Sequence, residues 1–299
     1  MTSIIKFFYL TLFSFSLLQA QSLEPRLYSN APVGLNFLII GYSYSQGALP
    51  NIPELGLVDP NLKVDTAFLA YAHVFEAFGQ SGKIDIVLPV AKIYGTAYDE
   101  TFTLLTRDVN GLADTKVRLS YNLYGAPALT IKDYSSYKQD TILGVSLQVT
   151  IPTGNYDSNK LVNISTNRWA IKPSIGISKA INNFIFEADI DAEFYTSNKE
   201  YYGNNVREQD PLYSTQMHII YNFKHGAWMG FDANYYWGGD YKINGKYAQK
   251  QLENSRLGLT AALPINRTSS IKLYGSSGVV SRTGTNFNIL GFALQYRWF

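Results

Sequence analysis

Along most of this chain apolar side chains fall on every second position, facing a row of polar or small residues. The segment 184–194 is the clearest. Phe184, Phe186, Ala188, Ile190, Ala192 and Phe194 share one parity, while Ile185, Glu187, Asp189, Asp191 and Glu193 share the other. Successive side chains of a strand point to opposite faces, so this segment separates an oily surface from an acidic one. The same alternation sets Val117, Leu119, Tyr121 and Leu123 against Lys116, Arg118, Ser120 and Asn122. It sets Tyr213, Met217, Ile219 and Tyr221 against Ser214, Gln216, His218 and Asn222, and Met229, Phe231, Tyr235 and Trp237 against Gly230, Asp232 and Asn234. Near the C-terminus, Leu257, Leu259 and Leu263 oppose Arg256, Gly258 and Thr260, and Leu290, Phe292, Leu294, Tyr296 and Trp298 oppose Gly291, Ala293, Gln295 and Arg297.

Less regular candidates over 35–45, 64–78, 83–94, 142–151, 169–178 and 271–280 bring the total to about twelve strands, near the 9 to 11 residues that a tilted membrane-crossing strand needs. An even number is what a closed single-chain barrel of this kind requires. The connections alternate in length. Segments 79–82, 181–183, 224–226 and 264–269 read as tight turns, and 46–63, 97–114, 152–168, 197–211 and 239–252 as long loops. Short periplasmic turns and long extracellular loops form the outer-membrane pattern. Two connections depart from it: 125–140 should be periplasmic yet is long, and 282–286 should be extracellular yet is short.

Aromatics test the same topology, because Trp and Tyr collect at the two membrane interfaces. Trp169, Phe194, Tyr213, Tyr235 and Trp237 sit beside long loops; Phe184, Tyr221, Phe223, Tyr296 and Trp298 sit beside short turns or the terminus. A soluble sandwich or lipocalin-like barrel also alternates, with its apolar face inward. The paired aromatic ends, the rhythm of the loops and the leader favour the membrane barrel over it. In the last strand the apolar row ends on Trp298, so either Phe299 twists out or the strand stops one residue early.

The leader is residues 1–20: Lys6 in a short basic region, an apolar run from Phe7 to Leu18, and Leu18-Gln19-Ala20 as the cleavage tripeptide. The expected organisation is therefore a signal peptide over 1–20, a periplasmic N-terminal segment over 21–33, and an outer-membrane barrel over 34–299. Composition agrees. Charged residues are 16% of the 299, against about 25% in ordinary soluble domains, while aromatics reach 15%. A mean hydropathy of -0.08 excludes a bundle of apolar membrane helices. The net charge of +2 offers nothing to nucleic acid. The lack of cysteine removes disulfides and thiolate chemistry.

The inward parity supplies the candidate chemistry. Glu187, Asp189, Asp191 and Glu193 would line the lumen within one strand, with Arg168 and Lys172 on one side, His218 on the other, and Lys116, Arg118, Asp232, Arg256, Lys272 and Arg297 elsewhere around the wall. Such a row is either a charged constriction that selects solutes or part of an ion-pair network that fills a barrel of intermediate bore. Like charges this close need cations beside them to stay ionised. Catalysis has little footing: His218 lies four residues from Ser214, too far along a strand for the two side chains to bond. Asp157 and Asp240 stand in loops without a calcium-ligand motif, and 79–83 reads as a hairpin rather than a phosphate loop. No cofactor or metal is expected.

Several strings resemble a known family: Tyr28-Ser29-Asn30-Ala31-Pro32-Val33-Gly34, Ser81-Gly82-Lys83-Ile84-Asp85, Tyr124-Gly125-Ala126-Pro127-Ala128-Leu129 and Arg207-Glu208-Gln209-Asp210-Pro211-Leu212-Tyr213. Leu161-Val162-Asn163-Ile164, Asn254-Ser255-Arg256-Leu257-Gly258 and Arg282-Thr283-Gly284-Thr285 add to them. They are similar to those of the putative MetA-pathway of phenol degradation proteins, across essentially the whole mature chain. The resemblance implies an outer-membrane, transporter-like barrel, and the solute class, small and hydrophobic or aromatic, comes from the family's name alone. The expected partners are outer-membrane lipid and that solute. The competing reading is a structural or surface-interaction barrel with a lumen closed by its own charges. A barrel hydrolase using His218 comes third.

Overall fold

The structure is a computed structural model and describes residues 23–48, 58–99, 101–249, 252–281 and 286–299. Twelve antiparallel strands close into a barrel: β1 (Asn36–Ala48), β2 (Val58–Ala77), β3 (Gln80–Tyr98), β4 (Thr115–Tyr124), β5 (Thr141–Ile151), β6 (Ala170–Ile181), β7 (Phe184–Tyr195), β8 (Leu212–Asn222), β9 (Trp228–Gly238), β10 (Leu252–Pro264), β11 (Ser269–Ser281) and β12 (Asn286–Trp298). Each pairs with its sequence neighbours, and β1 meets β12 from Asn36↔Trp298 to Ala48↔Asn286. Closure gives every backbone group in the wall a partner, which a strand surrounded by hydrocarbon cannot obtain from water. All twelve strands fall where the alternating pattern expects them. The expected leader lies outside the described residues, as does most of the short 282–286 turn.

The pleat follows the sequence parity. Met217, Ile219, Leu259, Phe186 and Ile190 point outward and are exposed, whereas their neighbours Gln216, His218, Thr260, Asp189 and Asp191 are buried inside. Both aromatic belts are present. At the long-loop end Trp237 stacks on Tyr213 and Tyr235 at 5.8 and 5.6 Å between ring centroids. At the other end Tyr221 meets Phe184 and Phe223 edge-on, and Trp298 stacks on Tyr296. β12 stops at Trp298, so Phe299 lies beyond the strand.

β2 and β3, at 20 and 19 residues, are longer than the membrane requires and rise above it. The expected loop 97–114 is largely a strand, Leu104–Leu112, that returns along the upper half of β3. Two other long loops form hairpins, and Asn198–Tyr201, Asn205–Gln209, Tyr241–Ile243 and Lys246–Gln249 make a four-stranded sheet over the extracellular rim. Arg207 is sandwiched there between the rings of Tyr201 and Tyr241, at 5.3 and 4.7 Å. In the exposed turn after β3, hydrogen bonds from the Thr101 hydroxyl and the Thr103 N–H hold the Asp99 carboxyl below its usual range.

The segment expected to lie in the periplasm does not hang below the barrel. Residues 24–31 are buried inside it. The long 125–140 connection explains how they are held. It carries a short helix, Ile131–Tyr134, and grips the segment through Tyr134 Oη to the Asn30 carbonyl (2.9 Å), Asn30 Nδ2 to the Pro127 carbonyl (3.1 Å) and Val33 N–H to the Leu129 carbonyl (2.9 Å).

Candidate functional site

The lumen has three faces, each set by the inward parity of particular strands. β3, β4 and β6 contribute a basic face with Lys83, Arg118 and Lys172 buried and Lys116 partly buried. β7 and β9 contribute an acidic face with Glu187, Asp189, Asp191, Glu193 and Asp232. β1, β2 and β3 contribute an apolar face with Phe37, Ile39, Phe68, Val74 and Val87, continued toward the extracellular side by Val64, Ala91 and Ile93.

The acidic row is built as expected but neutralised differently. Register places Ser178 opposite Glu187 and Ser214 opposite Asp191. Those hydroxyls donate to the carboxylates at 2.9 and 2.8 Å, and Tyr195 Oη donates to Glu193 at 2.9 Å. The Arg26 backbone N–H adds a bond of 2.6 Å to Glu187. Hydroxyl and amide donors thus meet Glu187, Asp191 and Glu193 directly, while the expected cations act through space, Lys172 on Asp191 and His218 on Asp189. The expected neighbours bond elsewhere. Lys172 reaches Glu24 at 4.0 Å, Arg168 lies over the Tyr195 ring at 4.2 Å and donates to Gln209 Oε1, and His218 Nδ1 lies 2.7 Å from Asp232.

His218 and Asp232 are cross-strand partners, and Thr260 donates to the other Asp232 oxygen at 2.7 Å. Ser214 and His218 therefore bond to different carboxylates, and no nucleophile–base pair is formed between them. Of the remaining sequence candidates, Arg256 donates to Ser276 at 2.9 Å and Lys272 lies 5.4 Å from the Tyr274 ring, both in the wall. Arg297 departs from the lumen: it sits at the periplasmic rim and donates to the Arg267 carbonyl at 3.0 Å, because its position next to the last residue of β12 lies beyond the buried bore. Among the described residues there is no cluster of three or more His, Asp or Glu suited to a metal ion.

Sequence reasoning missed what occupies the bore. Leu23 to Leu35 threads inward and complements both charged faces. Glu24 pairs with Arg118 and Lys172 on the basic side. Arg26 lies on the acidic side, its guanidinium bonding to Asn222 and stacking over the inward Trp228 at 4.8 Å. Lys83 donates to the Leu27 and Ser29 carbonyls. Tyr28 bonds Ser174 at 2.8 Å, its ring against Gly144 and Gly176. One signal was available: β1 over 37–40 and β2 over 67–72 are apolar on both parities, and an apolar inward face implies that something apolar packs on it.

The family model described as putative MetA-pathway of phenol degradation matches residues 46–298. The chain belongs to this family. Among solved structures, the COG4313 outer membrane channel from Pseudomonas putida F1 is similar at a TM-score of 0.78 and 20% identity, over 93% of this chain and 100% of that one. The transport unit of the autotransporter AIDA-I from Escherichia coli reaches 0.53 at 12% identity, over 90% and 92%. The Pseudomonas putida toluene transporter TodX reaches 0.50 at 9% identity, over 91% and 92%. No curated protein matches the chain by sequence. The fold is that of the outer-membrane barrels, and this member of the phenol-degradation family is an outer-membrane protein.

Proposed function

We propose that the protein is an outer-membrane channel for passive passage of small hydrophobic or aromatic solutes, acting without catalysis. The observation that carries this reading is the apolar face of the lumen. Phe37, Ile39, Phe68 and Val87 line it toward the periplasm, and Val64, Ala91 and Ile93 toward the outside. Ala31 and Leu35 of the segment before β1 pack on this track, and where that segment moves aside an apolar solute is attracted to it by the area removed from water. TodX, named a toluene transporter, has a barrel of this kind. In this reading residues 1–20 are the export leader, residues 34–299 the membrane unit, and residues 23–33 an internal plug.

The second reading, a barrel closed by its own charges, is favoured by one observation: Glu24 and Arg26 fill the bore between the two charged faces. The two separate experimentally. Refolded protein in a planar bilayer is expected to give stepwise current, and cells carrying it are expected to take up toluene faster than cells without it; silence in both assays would leave the closed barrel. Exchanging Glu187, Asp189, Asp191 and Glu193 for amides is expected to weaken cation preference, and unchanged selectivity would remove the row from the conducting path.

A further inference from the structure

We propose that the basic face around Arg118 and Lys172 is a binding site for a carboxylate-bearing solute with an apolar body, and that Glu24 occupies it as an intramolecular stand-in. The proposal rests on the channel reading above and names a solute class for it.

Glu24 is 5% exposed and Arg118 3%. The guanidinium divides its donors. Nε bonds Asp85 on the neighbouring strand at 3.3 Å, while Nη1 bonds Glu24. Lys172 faces the same carboxylate from β6, and the ammonium groups of Lys116 and Lys272 act on it electrostatically. Asp85 belongs to the wall and remains with Arg118 whatever the N-terminal segment does. Glu24 does not belong to the wall. When it leaves, Arg118 keeps Asp85 and Lys172 keeps the field of Asp191 and Glu193, but both lose the carboxylate they share, and losing a counter-charge is costly for a buried cation. A carboxylate answers that need best, since two of its oxygens can meet a guanidinium fork and an ammonium together.

The residues around Glu24 describe the rest of the ligand. Leu23 packs close to Gly258, and Leu27 and Tyr28 cluster with Ala126 and Ile142. A carboxylate among aliphatic and aromatic groups is the pattern of an aromatic or short aliphatic acid. The opposite acidic row repels the same head group, so an entering acid has one stable orientation, carboxylate toward β4 and β6.

Glu24→Ala removes the stand-in and leaves room for a small acid. Thermal unfolding of the purified full-length variant in detergent is followed with sodium propionate or benzoate, against propionamide or benzamide at equal ionic strength. The expected result is a saturable rise in Tm with the acids and none with the amides. Adding Arg118→Met or Lys172→Met should weaken that response by about 10- to 100-fold, the equivalent of one charge-assisted hydrogen bond. Two variants are used because Arg118→Met also strands Asp85 and can fail to fold. Equal responses to acid and amide in a folded E24A barrel, or acid responses unaffected by K172M, would overturn the site. Equilibrium titration needs no transport, so its failure is distinguishable from failure of the channel itself.

Discussion

The ring of Tyr28 occupies the space that a side chain on Gly176 would need. Gly176 stands directly opposite Gly144 across β5 and β6, so two missing side chains open one slot in the wall. The Tyr28 hydroxyl is fixed there by Ser174, itself 2.7 Å from Ser146. Gly144→Val overpacks this slot at a cost of about 1–3 kcal/mol; the three atoms nearest to its added carbon all belong to Tyr28, so moving the N-terminal segment relieves it. The expected outcome is faster proteolytic removal of that segment and a larger single-channel conductance. Wild-type protection in a folded G144V barrel would show that the slot does not hold the plug.

Met217 lies at the middle of β8 on the outer face and is 60% exposed. Met217→Arg places a guanidinium in hydrocarbon, which costs about 2–4 kcal/mol near the bilayer midplane. Urea titration of folding into phosphatidylcholine vesicles should show the loss. An unchanged midpoint would mean that this face does not meet lipid.

His218→Ala takes a partner from Asp232, a carboxylate that is 0% exposed. Thr260 still donates to its other oxygen. Leaving one buried acceptor unmatched costs about 1–3 kcal/mol, readable as a lowered unfolding midpoint. His218→Asn, which can donate from its amide, should recover part of it. If neither variant changes stability, the pair is not a structural element of the lumen.

Arg207 holds the extracellular hairpins together by lying between Tyr201 and Tyr241. Each cation–ring contact contributes about 1–2 kcal/mol where the ring is buried, as both are. Arg207→Gln is therefore expected to leave barrel stability unchanged while quickening protease cleavage within 198–209 or 241–249. Equal cleavage rates in both proteins would place the stability of this sheet in its backbone pairing alone.

The strands were legible because a wall one residue thick must alternate: each inward position is followed by an outward one, so the apolar parity of 184–194 or 290–298 marks both strand and lipid face. The inward position of the acidic row follows from the same rule. The partners of those carboxylates do not. Which residue stands opposite Glu187 depends on the register of β6 against β7, set by hydrogen bonding across the whole closed sheet. That is why Ser178 and Ser214 answer the row, and why His218 is committed to Asp232.

Sequence alone determined the architecture: a closed antiparallel barrel of about twelve strands, two aromatic belts and a charged interior, because each is a local periodic property of the chain. Only the tertiary structure decided what fills the barrel. Glu24 and Arg118 are 94 positions apart, and no periodicity links them. Their contact exists because the chain before β1 enters the bore, where the basic face of β4 and β6 and the acidic face of β7 stand far enough apart to receive Glu24 on one side and Arg26 on the other.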